Sequence, residues 1–163
     1  MIDATLLFLL RDDEILLAEK KTGMGAGNYN GAGGKVEPED ASILEAAIRE
    51  TQEELLVQVE RESVQYIGEI EFTFPHNPGW NMRVHCYFAT RWNGEPQETR
   101  ELRPKWWKLG DIPYDKMWDD DKYWLPLALQ GEFIKAYFTF DEGSKVENVE
   151  FDLPEGHLAK PLN

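Results

Sequence analysis

Residues 41–56, Ala-Ser-Ile-Leu-Glu-Ala-Ala-Ile-Arg-Glu-Thr-Gln-Glu-Glu-Leu-Leu, decide how this chain is to be read. Leu44, Ile48, Thr51 and Leu55 recur at i, i+4, i+7 and i+11, the period of a helix that turns one stripe toward a core. Asp40 or Ser42 stands where such a helix takes its cap. Glu50, Glu53 and Glu54 fall at i, i+3 and i+4, on a face turned away from that stripe. Arg49 can pair with Glu45 and Glu53. Like charges at this spacing repel by about 0.2–0.5 kcal/mol per pair, and no lysine lies within the turn to relieve them. A solvated acidic face is one account of the cluster. The other is a site for Mg²⁺, or Mn²⁺ in its place, which binds one or two carboxylates and then substrate phosphates.

Immediately upstream, residues 23–34 hold six glycines in twelve positions, which reads as loop or tightly turned backbone. Gly31, Gly33 and Gly34 let backbone groups approach a metal or phosphate with no Cβ in the way. The stretch is not a P-loop, because Val36 follows Gly34-Lys35 where Ser or Thr is required. Nor is it a dinucleotide fingerprint.

Outward from this centre, apolar runs at 4–10 and 14–18 read as a buried hairpin. Residues 64–74 and 82–92 read as strands, Val84, Cys86 and Phe88 alternating in the second, with a turn at 75–79 between them. A short strand follows Pro104 at 106–109. A second helix is predicted over 119–135, with Pro126 in or near its first turn. Phe138 to Phe140 and Val146 to Leu153 read as a closing hairpin, and the last ten residues as a loose tail. The pattern predicts one α+β domain over 1–155, an α/β/α arrangement with a mixed sheet between helices, and a tail over 156–163.

Composition bounds the partners. The chain carries 31 acidic and 17 basic residues in 163, a net charge of −14. That disfavours polymeric nucleic acid and anionic membranes, yet permits a small phosphorylated ligand if divalent cations stand between the negative charges. The run Leu6 to Leu10 is broken at once by Arg11-Asp12-Asp13-Glu14, so it reads as neither signal peptide nor membrane span. Cys86 is the only cysteine, which fits a reducing cytoplasm. His76, His85 and His157 are scattered and carry no assigned role. The three serines have no arranged histidine partner for a nucleophilic triad.

Gly34-Lys-Val-Glu-Pro…Arg49-Glu50-Thr-Gln-Glu53-Glu54-Leu-Leu-Val57 resembles the Nudix box, Gx5Ex7REUxEExGU, U being a bulky apolar residue. One extra residue precedes Arg49, so Glu39 or Asp40 must serve for the first glutamate. Thr51 replaces an apolar residue, and Leu56 the final glycine. The resemblance implies a Nudix fold and metal-assisted hydrolysis of a nucleoside diphosphate linked to another group. By that likeness Glu50, Glu53 and Glu54 are metal ligands, one of them a general base. Gly33 and Glu101 add to the set, and Arg49 orients the glutamates.

A second cluster, Met117-Trp-Asp-Asp-Asp-Lys-Tyr-Trp124, offers an indole to stack on a purine and carboxylates to accept its N–H groups. An acidic helix start is the alternative, and it suits one of the three aspartates. Leu102-Arg-Pro…Trp107…Ile112-Pro…Lys116-Met-Trp118-Asp-Asp-Asp121 is similar to the branch of the family that hydrolyses oxidised purine nucleoside triphosphates. This implies that Trp118, Asp120 and Asp121 line the base pocket and that Asn30 meets the far edge of the base. Thr5, Leu6, Lys20, Phe72 and Phe74 would line the rest, though Phe72 and Phe74 also suit a core, and Asn30 a turn. The implied reaction converts 8-oxo-dGTP, and 2-hydroxy-dATP beside it, to the monophosphate and pyrophosphate. Rivals are another nucleotide as substrate, an undamaged dNTP or a dinucleotide, and a silent nucleotide-binding module. The expected working unit is a cytoplasmic monomer whose partner is a nucleoside triphosphate.

Overall fold

The computed structural model describes residues 1–152, so the expected 156–163 tail lies outside the described residues. Strands β1 (Ile2–Arg11) and β2 (Glu14–Lys20) form the expected hairpin, turning at Asp12 with φ 54°. They stay paired only at Leu10–Ile15 and Arg11–Glu14. Beyond that point β1 leaves β2 and runs between β4 (Ala32–Lys35), antiparallel, and β7 (Met82–Ala89), parallel. β2 instead pairs with β3 (Tyr29–Asn30) and β9 (Leu102–Lys108). This parting opens the cleft described below. β6 (Val64–Thr73), β10 (Ile134–Phe140) and β11 (Val146–Phe151) extend the sheet, giving the order β11-β10-β6-β7-β1-β2-β3. A small second sheet joins β5 (Gln58–Val59) to β8 (Trp92–Asn93).

The sheet is mixed and covered on both faces. Strand alternation divides β1: Ala4 and Phe8 enter one core, Leu7 and Leu9 the other. Helix α1 (Ile43–Leu55) packs on β1, β4 and β9 and closes the second core with Ala47, Ile48 and Leu55. Helix α2 (Asp121–Leu129) closes the first core, with Trp124 and Leu125 fully buried. Ser42, not Asp40, caps α1 by accepting the Glu45 N–H at 3.1 Å. Thr51 is tolerated in the stripe because its hydroxyl donates to the Ala47 carbonyl at 2.8 Å. Leu56 ends the helix at φ 60°, the left-handed position where a glycine costs least.

Several boundaries differ from the sequence reading. The second half of the glycine stretch is strand, since β3 and β4 occupy it. α2 stops at Leu129 because Gly131, at φ 94°, reverses the chain into β10. Pro126 lies in the helix interior and not in its first turn. β9 starts two residues before Pro104 and runs through it; among the described residues it pairs with β2 alone, so a missing N–H on the free side costs nothing. The strand expected to 92 ends at Ala89. Among the described residues no helix is long and apolar enough to cross a membrane.

Candidate active site

The acidic face of α1 lies against the glycine edge of β4. Gly33 faces Leu6 in the β1 register, and a Cβ on it would stand 1.9 Å from the Thr5 carbonyl oxygen. A Cβ on Gly34 would stand 2.6 Å from the Glu50 carboxyl carbon. Only glycine lets strand and helix approach so closely. The Gly33 N–H donates to Glu54 Oε1 at 2.7 Å. That bond brings a carboxylate under the strand edge and fixes its orientation.

The three glutamates do not share one environment. Glu54 is buried, and burial raises its pKa to about 8 against the Gly33 N–H, with Glu101 and Glu50 adding to the rise. Burial also raises Glu50, opposed by Arg49. The Glu53 carboxylate is 57% exposed and accepts from the Arg49 guanidinium at 3.3 Å. Glu101 arrives from the segment before β9. Its carbonyl accepts the Lys21 N–H at 2.9 Å, and Thr99 nearby donates its hydroxyl to the Glu54 carbonyl at 2.8 Å. Its carboxyl meets that of Glu54.

Arg49 is held by Asp40 through two bonds, Nε to Oδ1 at 2.8 Å and one terminal nitrogen to Oδ2 at 2.9 Å. It also donates to Glu50 at 3.0 Å and to the Lys35 carbonyl. The guanidinium holds Asp40 at a pKa of about 2, with the Glu37 N–H assisting. Asp40, not Glu39, therefore makes the contact left open by the extra residue before Arg49. Glu45 pairs with Arg61 and not with Arg49.

Among the described residues no three His, Cys, Asp or Glu side chains close into a ready-made metal cage. Glu50, Glu54 and Glu101 nonetheless repel one another across a partly buried space without a cation of their own beyond Arg49. Such an open, oxygen-only set suits a hard divalent ion that keeps waters and substrate oxygens in its shell.

Beside this edge opens a cavity of about 310 Å³, within the range of nucleotide-sized sites. Gly33, Gly34, Thr5, Leu6, Lys20 and Asn30 line it. So do Phe72, Phe74, Trp118, Asp120 and Asp121. Phe72 and Phe74 belong to the core as well, so they serve both. Asn30 accepts the Gly31 N–H through its side-chain oxygen at 2.9 Å, leaving its amide NH₂ for the cavity. The sequence reading missed Met24, Met82, Val84, Phe140 and Lys35, which also line the cavity. The alternation of Met82 and Val84 with Cys86 was the signal available for two of them; loop position hid Met24.

The aspartates divide the work. Asp119 precedes the helix and caps none of its N–H groups; Lys122 donates to it at 2.8 Å and so does the Val146 N–H of β11, so the expected helix-start role is not what occupies it. Burial disfavours its charge, yet these donors leave its pKa lowered. Asp120 makes no cap bond and receives Trp124 Nε1 at 2.8 Å. Asp120 and Asp121 are 4% and 2% exposed, and burial raises both, Asp120 to about 6 and Asp121 well above the ordinary carboxyl range. His85 is buried between Asp3 and Tyr66, away from the cavity; His157 lies outside the described residues.

With this helix and glycine edge in place, comparison with known proteins identifies the family. The family model described as NUDIX domain matches residues 2–128. The chain belongs to the Nudix family. Its Nudix domain is 40% identical over 138 residues to the oxidized purine nucleoside triphosphate hydrolase of Mus musculus, covering 85% of this chain and 86% of that one. The protein of the same name from Danio rerio is 40% identical over 136 residues, covering 83% and 85%. The Nudix fold itself superposes on the MutT crystal structure from Bacillus halodurans with a TM-score of 0.80 at 20% identity, over 93% of this chain and 98% of that one.

Proposed function

We propose that this Nudix protein hydrolyses oxidised purine nucleoside triphosphates, 8-oxo-dGTP foremost and 2-hydroxy-dATP beside it, to the monophosphate and pyrophosphate. The observation that carries the reading is that Gly33-Gly34, packed on Glu50 and Glu54, line the same cavity as the buried pair Asp120–Asp121 and Trp118. A nucleotide in that cavity would meet both sets of groups. The relatives at 40% identity bear the corresponding name, which supports the same substrate class here.

Glu50, Glu53, Glu54 and Glu101, with the Gly33 backbone, would hold Mg²⁺, Mn²⁺ being the substitute. When bound, the ion supplies charge neutralisation at the phosphate oxygens and an acidified water. Arg49, locked by Asp40, keeps Glu50 aimed at the strand edge. Glu54, with its raised pKa, is suited to take up a proton near neutrality. Lys20 adds positive charge beside the phosphates. Trp118 stacks on the base, Asp120 and Asp121 read its polar edge, and the Asn30 amide meets the far side.

The proposed working unit is a monomer, since the site needs no residue from a second copy. The net charge keeps polymeric nucleic acid away. A reducing cytoplasm suits Cys86, whose thiol is buried with its pKa raised by burial. The deciding experiment is hydrolysis of a nucleotide panel with product identification in Mg²⁺. The expected result is 8-oxo-dGTP turnover well above dGTP; equal rates would overturn the substrate.

A further inference from the structure

Helix α1 ends under a segment of the chain that also carries Glu101. Two of the carbonyls that a helix end leaves without an N–H of its own are taken by this segment. Gln97 donates its backbone N–H to the Leu55 carbonyl at 3.0 Å, and Thr99 donates its hydroxyl to the Glu54 carbonyl at 2.8 Å. The same hydroxyl accepts the Leu102 N–H at 3.3 Å, while the Thr99 N–H donates to the Leu102 carbonyl at 2.9 Å. These two bonds close a turn over residues 99–102, with Arg100 and Glu101 at its tip and the buried Leu102 anchored in the second core. Lys21 pins the turn from outside. Its backbone N–H donates to the Glu101 carbonyl at 2.9 Å, and its ammonium donates to the Thr99 carbonyl at 2.8 Å and to Glu98 at 2.6 Å.

Glu54 is thereby held at both ends. Its carboxylate accepts the Gly33 N–H, its carbonyl accepts the Thr99 hydroxyl, and the turn returns the Glu101 carboxyl to the Glu54 carboxyl. Two carboxyls brought together repel, and a turn free to move would carry Glu101 away. A hydroxyl donates and accepts at once, so one uncharged atom ties the helix end to the turn. A cationic side chain in its place would cancel the negative charge on which a divalent ion depends.

We infer that Thr99 is a positioning residue: its hydroxyl, seconded by Lys21, holds Glu101 beside Glu54, so that the two carboxyls are assembled before a divalent cation arrives. This rests on the metal role proposed above for both glutamates.

Thr99→Val keeps the shape of the side chain and loses both hydrogen bonds, whereas Thr99→Ser keeps the hydroxyl. Binding of Mn²⁺ alone, read by electron paramagnetic resonance without nucleotide, is compared across the natural protein, these two variants and Glu101→Gln. Thr99→Val is expected to bind Mn²⁺ about tenfold more weakly, as when a group that orients a metal ligand is removed. With 8-oxo-dGTP at fixed Mg²⁺, its kcat falls about tenfold as well, with KM little changed. Thr99→Ser restores both readings. A helix cap with no further role predicts a lower melting temperature in Thr99→Val, with Mn²⁺ affinity and kcat unchanged well below the melt; that result overturns the inference. Should Thr99→Val not fold, Lys21→Met, which releases the turn from outside, is measured in its place, and unchanged Mn²⁺ affinity there overturns the inference too. If Glu101→Gln weakens Mn²⁺ binding and Thr99→Val does not, the metal site stands and the role of Thr99 falls. If Glu101→Gln binds Mn²⁺ as the natural protein does, the metal role of Glu101 falls, and that of Thr99 with it.

Discussion

Trp118 packs against Gly25, so closely that a Cβ on residue 25 would stand 2.8 Å from the indole Nε1. Gly25 also sits at φ 82°, where a side chain is strained. Gly25→Ala must push the indole into the cavity or displace the 23–28 loop. The expected result is KM for the nucleotide raised about tenfold, as for loss of a base-stacking contact, with kcat little changed. Steady-state kinetics with circular dichroism as a folding control checks this. A rise in neither constant would mean that Trp118 does not hold the base.

Gly33 and Gly34 should fail differently. A methyl at residue 33 meets the Thr5 backbone, which cannot yield, so Gly33→Ala should lower the melting temperature sharply. A methyl at residue 34 meets the end of the Glu50 side chain, which can swing away. Gly34→Ala should therefore fold and lose about 10²-fold in kcat through a misplaced carboxylate. Thermal melts and rates on the two proteins separate the cases.

Glu54→Gln should uncouple stability from activity. The amide oxygen can still accept the Gly33 N–H, while the repulsion from Glu50 and Glu101 disappears. Without metal, the variant is expected to melt at or above the natural temperature, yet hydrolysis should fall about 10³-fold or more. Chelation should abolish activity of the natural protein and added Mg²⁺ restore it. A Glu54→Gln protein with full turnover would remove Glu54 from the chemistry.

Asp120 and Asp121 predict a pH dependence of stability with a definite sign. Burial raises Asp120 from the ordinary carboxyl value of 3.8 to about 6, so the folded chain binds that proton more tightly than the unfolded one. Its contribution is fully present below pH 3.8 and is lost as pH rises through 6; Asp121, raised in the same direction by burial, adds to the loss. Asp40 acts below this window, since its lowered pKa of about 2 makes its contribution disappear only on stronger acidification. Urea unfolding from pH 4 to 8 should show falling stability, and Asp121→Asn should flatten the slope. An equal slope in the variant would contradict the buried-proton assignment.

Leu56→Gly addresses the departure from the box. Leu56 holds φ 60° and is 44% exposed, so it has little burial to lose. Glycine there should stabilise the protein by about 1 kcal/mol, the cost of a left-handed L-residue. Equilibrium denaturation measures it, and a loss of stability would show that the Leu56 side chain packs more than its exposure suggests.

The helix at 43–55 was legible because its stripe and its acidic face are local patterns, complete within one turn of each other. The fold class followed from strand alternation in Val84, Cys86 and Phe88 and from the pairing of apolar runs, which are local as well. What the residues alone could not decide was environment. Glu50, Glu53 and Glu54 look equivalent in a helical projection, but only Glu54 meets the Gly33 edge and is buried there. The three aspartates at 119–121 likewise read as one acidic run, and the Val146 N–H, distant along the chain, claims Asp119 and leaves the other two to Trp124 and the cavity. Sequence determined which groups could do chemistry, because charge and periodicity are properties of neighbours in the chain. Tertiary structure decided which of them are desolvated, paired or left without a donor, because those depend on strands and loops that arrive from far away.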